Sequence, residues 1–145
     1  MSLPERYHRA LETHGHAEDP AQLQAVARLE DLRQRLAAAA RQENGLLARL
    51  RSRFSGAPNR IPVRGLYLWG GVGRGKTFLM DLFHDALDVP ARRSHFHRVM
   101  NDVHDRLRDL RELELELEDP LDRLAADIAE DVRVLCFDEL HVEDI

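Results

Sequence analysis

Residues Gly70 to Thr77, reading G-G-V-G-R-G-K-T, restrict the fold of this chain more than any other stretch. They fit G-x-x-x-x-G-K-[ST], the Walker A or P-loop pattern. The apolar and aromatic run Gly65-Leu66-Tyr67-Leu68-Trp69 before them has strand length, and Leu79, Phe83, Ala86 and Leu87 recur behind them at helical spacing. Strand, glycine-rich turn and helix is the context the pattern needs. Gly70, Gly71, Gly73 and Gly75 lack Cβ, so the backbone can take positive φ and approach a ligand closely. Successive N–H groups across Gly70, Gly71, Val72, Gly73, Arg74, Gly75, Lys76, Thr77 and Phe78 would then form an anion nest at the positive end of a helix. Lys76 adds a flexible cation for β and γ phosphates, and the Thr77 hydroxyl suits Mg²⁺. A glycine-rich turn with a solvated lysine is the bland alternative, and the agreement of loop and flanks speaks against it.

The second half of such a site lies 62 residues after Lys76. Val132 to Phe137 is a nearly continuous apolar run, the pattern of a parallel strand covered on both faces, and it ends in Asp138-Glu139. Ligands of open parallel sheets bind beyond the carboxyl ends of the strands. In this Walker B arrangement Asp138 would hold Mg²⁺, and Glu139 would act as the catalytic base that orients and deprotonates the attacking water. Two solvated acids at a strand end are common taken alone, and the P-loop gives this pair its meaning.

Elsewhere the chain reads as alternating helices and strands. Residues 1–18 are polar, and His8, His14 and His16 are expected to be solvated. Asp19-Pro20-Ala21-Gln22 is a helix start, with Asp19 as N-cap, Pro20 at N1 and Gln22 completing a capping box. Leu23, Val26, Leu29, Leu32 and Leu36 give one apolar stripe, and Leu46, Leu47, Leu50 and Phe54 another after Gly45. S-G-A-P-N-R-I-P-V-R (55–64) is a linker. Arg92 to His97 suits a second strand with His95 and His97 on one face and Phe96 on the other; a structural or partner role suits the histidines better than a metal site. Met100, Val103, Leu107 and Leu110 mark an amphipathic helix. E-L-E-L-E-L-E (112–118) is a helix tail or an irregular acidic connection. Asp119-Pro120 opens a further helix carrying Leu121, Leu124, Ala125, Ile128 and Ala129. The order points to an α/β doubly wound parallel sheet of P-loop type, with residues 1–55 an N-terminal helical segment and 56–145 a partial nucleotide core.

Composition narrows the class further. A net charge of −5 argues against a wholesale nucleic-acid coat. Cys136 is the single cysteine and cannot form an internal disulfide. No stretch approaches the roughly 18 apolar residues of a membrane span. The N-terminus has no secretory h-region and carries acidic residues early, so a cytoplasmic, reduced protein is expected.

With these residues read, the chain resembles the ZapE family of cell-division ATPases, AAA+-related proteins with mitochondrial relatives. The resemblance lies in residues 65–83, H-F-H-R-V-M (95–100) with Val103-His104, Asp119-Pro120-Leu121, L-C-F-D-E-L-H-V-E-D-I (135–145) and the Asp19–Gln22 helix start. Leu140 stands where the family usually has Phe. The resemblance implies an AAA+-like fold and Mg²⁺-dependent ATP hydrolysis through Lys76, Thr77, Asp138 and Glu139. More weakly, it implies remodelling of a protein partner, association with the FtsZ division ring in a bacterial cytoplasm, and a homo-oligomer. It also implies a sensor strand and a trans-acting arginine beyond Ile145, so the chain reads as an N-terminal portion with poor turnover and an incomplete sheet. Gln22 is a candidate adenine contact. Arg74 either lies beside the triphosphate or points to solvent, and its position in the motif leaves both open.

Three other readings compete. A P-loop kinase shares the loop, but the Asp138-Glu139 pair suits water as acceptor. A GTPase would need an N-K-x-D-type motif, which does not occur before Ile145. A nucleotide-binding interaction module without hydrolysis is the non-enzyme alternative.

Overall fold

The computed structural model describes residues 1–45, 60–112 and 119–140. The chain divides into two compact units, Met1–Val89 and Pro90–Ile145.

The first unit is built on helices α1 (Leu3–His14), α2 (Pro20–Glu43) and α3 (Lys76–Asp85). Helix α1 begins with a capping box: the Ser2 hydroxyl accepts from the Glu5 N–H while the Glu5 carboxylate accepts from the Ser2 N–H. Gly15, in the left-handed region at φ 64°, ends it. The α1 face made of Leu3, Tyr7 and Leu11 is buried. The polar composition of residues 1–18 hides this helix within the expected N-terminal helical segment, although S-L-P-E and the four-residue spacing of those apolar positions mark it. The histidines there are exposed as expected, with His8 beside Glu18 at 2.8 Å.

Helix α2 is the scaffold of this unit. Val26, Leu29, Leu32 and Leu36 of the predicted stripe are buried and Ala39 joins them, whereas Leu23 is only half-buried. Asp19 caps it by accepting from the Ala21 N–H at 2.8 Å. The expected capping box does not form: Gln22 turns away from the cap and bonds elsewhere, to Tyr7 and to Arg74. Near the middle of α2, Glu30 receives the Leu3 N–H at the N-terminus of α1 (3.1 Å) and both arms of Arg33 at 2.8 Å. A carboxylate at the positive end of a helix is favourable. At the far end of α2, Glu43 accepts from the Ile61 N–H, and Arg35 donates to the Arg64 carbonyl at 2.9 Å. These two bonds strap the segment entering the loop onto α2.

Residues 65–69, predicted as a strand, are not one here. Leu66, Tyr67 and Trp69 are exposed, and the described elements of this unit are all helical, so the run lacks the neighbouring ladder that a strand requires. The apolar stripe Leu46, Leu47, Leu50, Phe54 and residues 55–59 of the linker lie outside the described residues.

The second unit holds β1 (Ala91–His95), α4 (Phe96–Glu112), α5 (Pro120–Asp131) and β2 (Val134–Asp138). β1 and β2 pair in parallel, with Arg93 opposite Cys136 and His95 opposite Asp138. Among the described residues this is the whole sheet, so the doubly wound sheet expected from sequence is present only as one parallel pair. Its connection through two helices matches the predicted strand–helix–helix–strand order. In α4 the half-buried positions include Met100, Val103, Leu107 and Leu110, as expected. The assignment of His95 to His97 to one strand fails: the strand ends at His95, and Phe96 opens α4 with its ring 6.0 Å from Phe137. Asp119 caps α5 through the Leu121 N–H at 2.9 Å. Only Leu124 of the expected α5 stripe is fully buried, and Leu121 is exposed. Residues 113–118 of the acidic alternation and 141–145 lie outside the described residues. Among the described residues no helix is long and apolar enough to cross a membrane.

Candidate phosphate-binding site

The loop from Gly70 to Gly75 leads directly into the first turn of α3. Gly70 (φ 144°), Gly73 (φ 78°) and Gly75 (φ 78°) occupy the region that L side chains rarely adopt. Gly75 is the N-cap of α3 and makes no side-chain cap bond, so Lys76 and Thr77 fall in the first turn, where helix N–H groups lack intrahelical acceptors. Lys76 folds back over the loop, and its ammonium donates to the Gly70 and Gly71 carbonyls at 2.7 Å each. Leu79 and Phe83 bury the opposite face of α3 and hold the helix to its unit.

The loop is also tied to α2. Gln22 Nε2 donates to the Arg74 carbonyl at 3.2 Å, and an Asp19 carboxylate oxygen stands 3.8 Å from an Arg74 guanidinium nitrogen. The sequence leaves Arg74 open between lying beside the triphosphate and pointing to solvent; its side chain is largely exposed and stands near Asp19. These ties are the part of the site that sequence reasoning missed; only the adenine expectation for Gln22 brought that residue near the loop.

The acidic pair Asp138-Glu139 lies in the second unit. Asp138 ends β2, and Glu139 turns off it at φ 55°, the only positive φ of a non-glycine residue among those described. The Asp138 carboxylate accepts from the Glu139 N–H at 3.1 Å and lies 3.4 Å from an Arg93 guanidinium nitrogen on the neighbouring strand. Cys136, buried two residues earlier, has its thiol pushed up by burial, an effect Arg93 partly offsets. Glu139 is exposed.

The donor types fit a magnesium–triphosphate group. In the first unit, glycine amides and the Lys76 ammonium suit phosphate oxygens, and the Thr77 hydroxyl is a hard oxygen donor; in the second, the Asp138 carboxylate is another donor of the kind Mg²⁺ takes. Among the described residues no three His, Cys, Asp or Glu side chains gather as a metal cage.

A glycine-rich loop that delivers lysine and threonine to a helix N-terminus has the build of a phosphate-binding loop. The chain belongs to the AFG1-like ATPase family, whose profile matches residues 1–145. It is 42% identical over 146 residues to the cell division protein ZapE of Escherichia coli K12, covering 97% of this chain and 38% of that protein. It is 39% identical over 92 residues to lactation elevated protein 1 homolog B of Danio rerio, covering 58% of this chain and 18% of that one. The chain thus spans well under half the length of these relatives. No solved structure matches it significantly.

Proposed function

We propose that the chain binds ATP with Mg²⁺ at the Gly70–Phe78 loop and supplies both halves of an ATP-hydrolysing site of AAA+ type. The observation that carries this reading is the loop itself: three positive-φ glycines run into the first turn of α3, with the Lys76 ammonium held on loop carbonyls that a triphosphate can replace. Family membership and the likeness to ZapE support ATP as the nucleotide. Lys76 neutralises the β and γ phosphates, Thr77 and Asp138 offer oxygens to the metal, and Glu139 takes the proton of the attacking water. When bound, Mg²⁺ would supply neutralisation of the phosphate charge. Residues 1–55 are assigned as an N-terminal segment and 56–145 as the nucleotide core. The finer expectations belong to the same proposal: a doubly wound sheet of P-loop type, a protein partner remodelled at the division ring, homo-oligomers and a cytoplasmic setting.

The test uses two substitutions. Lys76→Ala is expected to remove ATP·Mg²⁺ binding measured by calorimetry. Glu139→Gln is expected to keep binding and to remove phosphate release, measured on this chain and on one extended to the relatives' length. Normal hydrolysis by the extended Glu139→Gln protein would show that another residue is the base. Binding without turnover in every version would favour the nucleotide-binding interaction module.

A further inference from the structure

A line of side chains runs from α1 through α2 to the loop backbone. Tyr7 is fully buried, its ring centre lies 6.2 Å from that of Phe78, and its hydroxyl is 2.9 Å from Gln22 Oε1. On the other side of the same amide, Nε2 meets the Arg74 carbonyl at 3.2 Å. The orientation of the amide follows from chemistry. A backbone carbonyl only accepts, so the NH₂ group must face Arg74, which leaves the Gln22 oxygen to receive the Tyr7 proton. A Cβ placed on Gly75 would stand 2.6 Å from Gln22 Nε2, so this side chain presses against the loop at a positive-φ residue.

The planar trans peptide makes this contact consequential. The carbonyl of Arg74 and the N–H of Gly75 belong to one rigid unit and point in opposite directions. Holding the carbonyl toward Gln22 therefore holds the Gly75 N–H away from α2. A peptide next to glycine turns over easily because glycine accepts both signs of φ. Turned over, it would present an oxygen where an amide is wanted for an anion.

We propose that Tyr7 and Gln22 are positioning residues for polyphosphate binding. The Tyr7 hydroxyl orients the Gln22 amide, and the amide locks the Arg74–Gly75 peptide in its anion-binding orientation. This rests on the proposed reading of the loop as a polyphosphate site and adds to it a dependence on how α1 docks against α2. It also assigns Gln22 a role different from reading adenine, because a lock on the backbone serves any polyphosphate.

The test compares ATP with inorganic tripolyphosphate, which has no base, by calorimetry on this chain. Gln22→Ala is expected to weaken both ligands by the same factor, roughly 5-fold, the equivalent of one neutral hydrogen bond. Tyr7→Phe is expected to weaken both roughly 2- to 3-fold, and adding it to Gln22→Ala should cost nothing more, as for residues acting in one line. Gln22→Glu keeps the acceptor for Tyr7, removes the donor to Arg74, and should bind no better than Gln22→Ala. Far-UV melting of each variant checks that the fold persists, and base-independence with non-additivity is a pattern that a general loss of packing does not produce. A loss confined to ATP, additive losses, or wild-type affinity in both Gln22 variants overturns the proposal. Lys76→Ala, measured alongside, separates the two readings. If it binds as wild type does, the loop is not the site and both fall; if it abolishes binding while the Gln22 variants bind normally, only the positioning role falls.

Discussion

Replacing Glu30 with Gln tests how the helical scaffold behind the loop is held together. Glu30 receives two hydrogen bonds from Arg33, one from Gln34 at 3.0 Å and one from the Leu3 N–H, and its side chain is only 12% exposed. The Arg33 guanidinium is the main reason its carboxyl falls from an ordinary 4.5 to about 2, with Gln34 and the Leu3 amide adding to the fall against the opposing effect of burial. That fall corresponds to about 3 kcal/mol in favour of the ionised carboxylate, an upper figure for what the charge adds to folding. Gln keeps the shape but loses the charge, and it leaves Arg33 with Asp88 at 3.6 Å as its remaining anion. We expect Glu30→Gln to lower unfolding free energy at neutral pH by about 2–3 kcal/mol, read from urea unfolding followed by far-UV circular dichroism. The carboxyl is more acidic in the folded chain, so the unfolded chain binds the extra proton first. The stabilisation is therefore fully present above about pH 5 and drains away as pH falls toward about 2. The gap between wild type and Glu30→Gln should close over that same interval. A gap under about 0.5 kcal/mol at neutral pH, or one that stays constant down to about pH 2, would refute this account.

Other outcomes follow from the same geometry. Gly75→Ala should destabilise the first unit by about 1–2 kcal/mol, because its φ of 78° is costly with a Cβ. Adding Gln22→Ala should recover only the steric part, since the crowding atom goes and the backbone strain stays; full recovery in a melting experiment would contradict this. Asp119→Ala removes the acceptor for the Leu121 N–H and should cost about 1 kcal/mol in thermal unfolding of the second unit. Cys136, buried with its thiol pushed up, should react slowly with iodoacetamide in the native chain. Arg93→Ala should slow it further, because that cation favours the thiolate. Faster alkylation in Arg93→Ala would mean that Arg93 acts by shielding the sulfur.

Much of the local structure was legible in the sequence because its causes are local. The proline-and-aspartate starts at Asp19 and Asp119, the α2 stripe and the glycine loop running into α3 all depend on residues within a turn or two of one another. Helix α1 was legible in principle, through the Ser2–Glu5 box, but its histidines and charges masked three apolar positions. The run 65–69 shows the opposite limit. Its apolar residues satisfy a strand pattern, yet a strand exists only with a neighbour, and composition within five residues cannot supply one. His97 departs from the strand expectation because alternation over a few residues does not reveal that the backbone turns helical after His95.

By itself the sequence determined where the backbone can turn and where a helix can begin. It also determined which side chains can meet a phosphate or a metal, since those properties belong to residue types and their immediate spacing. The tertiary structure decided the rest: that Gln22 leaves its own cap to hold a carbonyl 52 residues away, that Tyr7 stands behind it, and that Arg93 sits beside Asp138. Such pairings depend on the path of the whole chain. Loops of any length close at an entropy cost that grows only slowly with length, so no short window of sequence records which distant groups meet.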